Sequence, residues 1–275
     1  MRIPAVLCAT ALTAITAGVA HANMIQNGNF ANTNPTKTVS TQFGTSFSAG
    51  NFITDWTGNN GYEIWYPNAT AATTEDAISQ YTYTHQEYLW SATAPPSGGP
   101  SFVGLDGDSS NGVASSISQM VTGLTVGENY SVSFNWAGAQ MASRHGATTD
   151  MLAVSLSSNL MSNGSYNYGS SINPANGGKG CGWNGSWQDT CALNNASRGF
   201  TGWTSDTMTF TATSSSEWLN FLSVGTPSSL PPMALLTNVS LVQAPEPGAL
   251  ALLGGGLLAL GFALIQRRRA ARDRA

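Results

Sequence analysis

The run Tyr130-Ser131-Val132-Ser133-Phe134-Asn135-Trp136 constrains the fold more than any other stretch of the chain. Large apolar side chains stand at every second position, and Ser131, Ser133 and Asn135 fill the gaps. A period of two places Tyr130, Val132, Phe134 and Trp136 on one face of a strand and the polar side chains on the other. Such a strand needs a second layer to bury its apolar face. Further strands are expected at residues 62–66, 79–89, 115–121, 152–156, 207–212, 218–224 and 235–242. Turn-forming stretches separate them, among them Asp106-Gly107-Asp108 and residues 123–129 and 227–232. No stretch of residues 23–247 shows a 3.6-residue period. Many short strands joined by Gly-rich turns predict an all-β sandwich or barrel.

Composition narrows the class further. Only 9% of the residues are charged, against about 25% in an ordinary soluble domain. Hydrophobic residues make up 41%, which is too many for a disordered chain. Nucleic-acid binding is not expected, because it needs clustered Lys and Arg to neutralise phosphates. The charges are also unevenly placed. Residues 23–244 hold four Lys and Arg against twelve Asp and Glu, so this body carries −8. Five of the ten basic residues crowd into the last nine positions.

Both ends read as addresses. Arg2, an apolar run over residues 3–19 and the small-x-small triplet Ala20-His21-Ala22 form a signal peptide, residues 1–22, with the mature chain starting at Asn23. The alternative is an uncleaved N-terminal anchor. At the other end, Pro245-Glu246-Pro247 precede the uncharged residues 248–265. As a helix this segment spans roughly 27 Å, enough for a bilayer core. A basic tail, residues 266–275 with Arg267, Arg268 and Arg269, follows and belongs on the cytoplasmic side, with the body outside.

The succession of Pro245-Glu246-Pro247, apolar helix and Arg cluster resembles the PEP-CTERM sorting signal of Gram-negative bacteria. The resemblance implies recognition by an exosortase, a membrane-embedded cysteine transpeptidase. It implies a single-pass inner-membrane intermediate and delivery of the body to the cell surface or extracellular matrix. Proteins of this kind accompany exopolysaccharide and biofilm production.

The body, residues 23–244, carries its own resemblance. The opening Asn27-Gly28-Asn29-Phe30, the segment from Gly123-Leu124 through Tyr130-Ser131-Val132-Ser133-Phe134, and the closing Asn238-Val239-Ser240-Leu241 are similar to galactose-binding-like jelly rolls. That similarity implies a jelly-roll β-sandwich. Residues 66–100 and 157–200 stand out as long insertions.

Cys181 and Cys191 are the two cysteines of the mature body, and in an exported chain they read as one disulfide. A zinc pair is the alternative, but His85 and His145 lack metal-ligand spacing to them. No nucleophile elbow, zinc-helix motif or phosphate loop is present, so an enzyme is not expected. Acid pairs suited to glycoside hydrolysis keep a hydrolase as a rival reading. Asp106 and Asp108 flank Gly107 and suit either a structural calcium or an Asx-rich turn.

Trp56, Trp136 and Trp218 lie in or beside strands and are expected in the core. Trp90, Trp183, Trp187 and Trp203 lie among Gly, Asn, Ser and Pro. An exposed indole stacks on the apolar face of a sugar ring, so these four are candidate glycan contacts, or else a cover over a sheet edge. The expected protein is an exported, exosortase-sorted, non-enzymatic β-sandwich that binds polysaccharide. A structural adhesion protein without a small ligand is the second rival.

Overall fold

The structure, a computed structural model, describes residues 22–44, 52–59, 62–74, 88–107, 115–161, 182–184, 186–227, 229–230 and 232–245. Residues 1–21 of the signal segment, Glu246, Pro247, the apolar segment 248–265 and Arg267 to Arg269 lie outside the described residues, as do His85, Asp108 and Cys181. Among the described residues no helix is long and apolar enough to cross a membrane.

Thirteen strands and one short helix are described, all within the compact unit 23–244. The strands are β1 (Thr41–Gly44), β2 (Thr57–Asn59), β3 (Glu63–Tyr66), β4 (Phe102–Asp106), β5 (Ser116–Thr122), β6 (Asn129–Gln140) and β7 (Thr148–Ser157). They continue with β8 (Gly182–Asn184), β9 (Trp187–Asp189), β10 (Leu193–Asn195), β11 (Thr204–Thr211), β12 (Ser216–Thr226) and β13 (Pro232–Gln243). The first sheet runs β1-β3-β4-β13-β6-β11, and the second runs β2-β5-β12-β7-β9-β8 with β10 also on β7. All pairings are antiparallel.

This strand order is a jelly roll. Four strands of the first sheet (β4-β13-β6-β11) face four of the second (β5-β12-β7-β9). From β4 onward the chain passes from one sheet to the other at β4–β5, β5–β6, β6–β7, β10–β11, β11–β12 and β12–β13, in keeping with two Greek keys. The short strands β1 and β3 widen the first sheet, and β2, β8 and β10 widen the second.

The alternation expected for residues 130–136 holds. Tyr130, Val132, Phe134 and Trp136 are buried in the main core with Leu152, Val154 and Leu156 of β7 and Leu219 and Phe221 of β12. Opposing faces of the two sheets therefore meet through side chains two residues apart along each strand. From Phe134 onward the burial changes, and residues 134–140 are buried on both faces. There Ala137 and Ala139 join Ile64, Tyr66, Phe102, Met233 and Leu235 in a second cluster on the outer face of the first sheet.

The insertion near 66–100 supplies the cover for that outer face. It begins with a helix where none was expected, α1 (Ala69–Thr74). Six residues are too few to display a helical period. The side chain of Asn68 caps it, with Oδ1 accepting the N–H of Ala71 at 2.9 Å. Ala72 and the buried Leu89 then pack on the second cluster. Leu89, the end of the strand expected at 79–89, forms an isolated bridge with Met141, and residues 79–87 lie outside the described residues.

Candidate functional site

A cleft of about 450 Å³ opens at one end of the second sheet. It is lined by residues of β2, β5 and β12 and by two loops, near residues 26–34 and 54–56. Trp218 of β12 and Met120 of β5 are cross-strand partners. They share the outer face, because Leu219 and Phe221 point inward. Trp218 is half-buried, and Met120 is 42% exposed. Thr57 on β2 pairs with Ser118 and lies on the same face. Asn34, Thr54 and Asp55 contribute polar groups from the loops.

Two amide side chains hold the loop wall in place. Gln119 accepts the N–H of Gln26 at 2.8 Å and donates to the carbonyls of Gln26 at 2.8 Å and Asp55 at 3.1 Å. Asn27 donates to the carbonyls of Asn32 and Thr54, each at 2.9 Å, and accepts the N–H of Asn32 at 3.0 Å. The buried Trp56 sits behind them, its Nε1–H shared between the carbonyls of Gln26 and Asn27 at 3.2 Å each. These bonds hold two residues in left-handed backbone, Asn27 at φ 49° and Asp55 at φ 70°. Asn and Asp tolerate that region better than other L-residues, and it persists only where the surroundings over-determine it.

The neighbouring part of the same sheet face is closed. Asn220 accepts the hydroxyl of Ser118 at 2.6 Å and the N–H of Met161 at 3.3 Å, and it donates to Ser155 Oγ at 3.2 Å. This draws residues 157–161 over Ala153 and Leu222, where Met161 and Trp187 pack. Trp218 and Met120 are the apolar side chains left beside the cleft on this face among the described residues.

Of the four tryptophans singled out in the sequence, Trp90, Trp187 and Trp203 are not among the described residues that line this cleft. Trp203 packs edge-on against Phe102 at 5.5 Å and Phe200 at 6.1 Å, and its Nε1–H bonds to the carbonyl of Thr93 at 2.8 Å. Trp90 is 37% exposed, with the Arg198 guanidinium 4.7 Å over its ring and its Nε1–H on the Arg144 carbonyl. Trp187 is half-buried in β9. Trp183 lies in β8, and its side chain falls outside the described residues. Trp218 corrects the expectation of a core residue. In Trp218-Leu219-Asn220-Phe221 either parity offers large apolar groups, and Leu219 and Phe221 take the inside.

Cys191 is disulfide-bonded. Asp106 ends β4 half-buried. Among the described residues, no three His, Cys, Asp or Glu side chains are grouped to hold a metal ion. His145 is exposed in the turn after β6. Among the described residues that line the cleft, Asp55 is the one carboxylate and there is no Lys, Arg or His.

The chain is similar in fold to several solved structures at low identity. A putative sugar binding protein from Bacteroides thetaiotaomicron matches at 13% identity and a TM-score of 0.38, over 81% of this chain and all of that one. TmCBM61, solved with β-1,4-galactotriose, matches at 12% identity and a TM-score of 0.36, over 81% of this chain and 99% of that one. The CBM22-1 xylan-binding domain of Paenibacillus barcinonensis Xyn10C matches at 12% identity and a TM-score of 0.34, over 76% of this chain and 94% of that one. No curated protein matches. At the C-terminal end, residues 243–269 match the PEP-CTERM protein-sorting motif.

Proposed function

We propose that this is an exported protein, sorted by an exosortase through its C-terminal motif, whose jelly roll binds polysaccharide outside the cell. The carrying observation is the preorganised cleft beside Trp218. An indole and a thioether side chain form its apolar surface, and Asn34, Thr54, Thr57 and Asp55 surround it with hydrogen-bonding groups. A sugar ring needs this combination, because its C–H face stacks on an aromatic ring while its hydroxyls exchange hydrogen bonds around the edge. The sorting half of the proposal rests on the match at residues 243–269. On this reading the mature chain starts at Asn23, residues 248–265 span the inner membrane during export, and the body reaches the cell surface or matrix. The disulfide of Cys191 closes on Cys181.

Polysaccharide-array binding by the exported protein, with and without Trp218→Ala, tests the binding half. Binding that is lost in the variant, at unchanged thermal stability, is the expected result. Binding to no polysaccharide would sink the reading. Release of reducing sugar would move it to a hydrolase. Intact mass tests the sorting half, since processing removes the segment after β13 and leaves a body that begins at Asn23.

A further inference from the structure

The cleft lining is chemically one-sided. Among the described lining residues Trp218 and Met120 are apolar, the others save one are neutral, and Asp55 alone is charged. Asp55 is exposed, and its backbone is fixed. Its carbonyl accepts Gln119 Nε2–H at 3.1 Å, and the next residue, Trp56, donates its N–H to the Ile53 carbonyl at 3.0 Å. The backbone that carries this carboxylate is therefore held in place on the cleft wall. It belongs to a body carrying −8. Recognition of an acidic sugar calls on Arg or Lys donors, and the described lining residues include none. A carboxylate has two acceptor oxygens, which suit paired hydroxyl donors on an uncharged sugar ring. The same group repels a second carboxylate, and specificity often comes from such a repulsive element.

We infer that the cleft takes uncharged polysaccharide and turns away chains bearing uronic or other acidic sugars, with Asp55 as the discriminating residue. This rests on the polysaccharide reading of the same cleft. The sign of the lining and the sign of the body act together, so the field that excludes an acidic chain extends beyond the contact itself.

The test is affinity electrophoresis of the exported protein in gels containing matched polymers. β-1,4-Glucan, β-1,3-glucan and β-1,4-galactan are each used in neutral form and after oxidation of C6 to the carboxylate. The expected result is binding of a neutral polymer about tenfold or more above its oxidised partner, a ratio equal to about 1.4 kcal/mol. Raising ionic strength toward about 1 M narrows the gap, because the screening length falls to about 3 Å. Asp55→Asn brings the oxidised polymer toward the neutral one. Asp55→Gly does the same and adopts a positive φ without strain, so it separates loss of charge from loss of fold. Equal binding of both forms by the unaltered protein, with binding still lost in Trp218→Ala, overturns the charge selection and leaves the polysaccharide reading standing. Discrimination that is unchanged in both Asp55 variants overturns the role of Asp55. No retardation by any polymer overturns the selection and the polysaccharide reading together.

Discussion

A β-carbon on Gly138 would lie 2.6 Å from Oδ2 of Asp150. Gly138 is on β6 and Asp150 on β7, so the missing side chain lets a carboxyl fit between the two sheets. Gly138→Ala is expected to destabilise the protein by about 1–3 kcal/mol, the usual cost of overpacking a filled interior. For a body of this size that is a drop of several degrees in Tm, at about 2–4 °C per kcal/mol. Thermal or urea denaturation reads it directly, and an unchanged midpoint would show that the sheets can part at this point.

Asp150 itself makes stability depend on pH. Burial pushes its carboxyl well above the ordinary aspartate range, the hydroxyl of Thr148 opposes the shift, and the nearby Asp106 adds to it. One of its oxygens, Oδ1, is buried without a hydrogen-bond partner. A raised carboxyl holds its proton more tightly folded than unfolded. Its contribution is present below the unfolded value of about 3.9 and is lost as pH rises toward the folded value. Urea midpoints measured from pH 4 upward should therefore fall more steeply for the wild type than for Asp150→Asn. Parallel curves would assign the slope to other groups.

Gln119→Ala removes three hydrogen bonds that tie β5 to the two loops of the cleft. At about 1 kcal/mol each, the expected destabilisation is about 2–3 kcal/mol. Polysaccharide binding should weaken with it, since the loop wall loses its brace. Isothermal titration beside a denaturation curve separates the two effects.

Arg198 combines a cation over the Trp90 ring with a left-handed backbone at φ 62°. Arg198→Gly gives up a partly exposed cation–π contact, about 0.5–1 kcal/mol, and relieves the backbone by a comparable amount. Its expected Tm change is close to zero, whereas Arg198→Ala loses the contact and keeps the strain. A clear loss for Ala and none for Gly is the outcome to look for in melting curves.

Much of this fold is visible in the chain before it is folded. The strands at 130–136 and 207–212, and the second half of the one at 235–242, announce themselves because apolar side chains that meet the core alternate with polar ones. The short strands β1, β2 and β8 to β10 leave no such trace. Each has three or four residues, too few for an alternation to register, and they exist because a longer neighbour offers them a hydrogen-bonding edge. The site follows the same division. Asp55-Trp56 could be singled out as a motif, but the roles of Gln119 and Asn27 depend on partners up to 93 residues away.

By itself the amino-acid sequence determined the all-β class, the inward face of the long strands and the sorting signal at the C-terminal end. Those are local properties, set by a period of two or by a contiguous run. The tertiary structure alone decided which tryptophan faces a cleft. Trp218 has apolar neighbours on either parity, and only the packing of Leu219 and Phe221 against the opposite sheet turns its indole outward beside Met120. Trp203, set among residues typical of loops, instead meets Phe102 and Phe200 and covers the first sheet. Exposure is a property of what the rest of the chain brings alongside, so composition around a residue does not determine it.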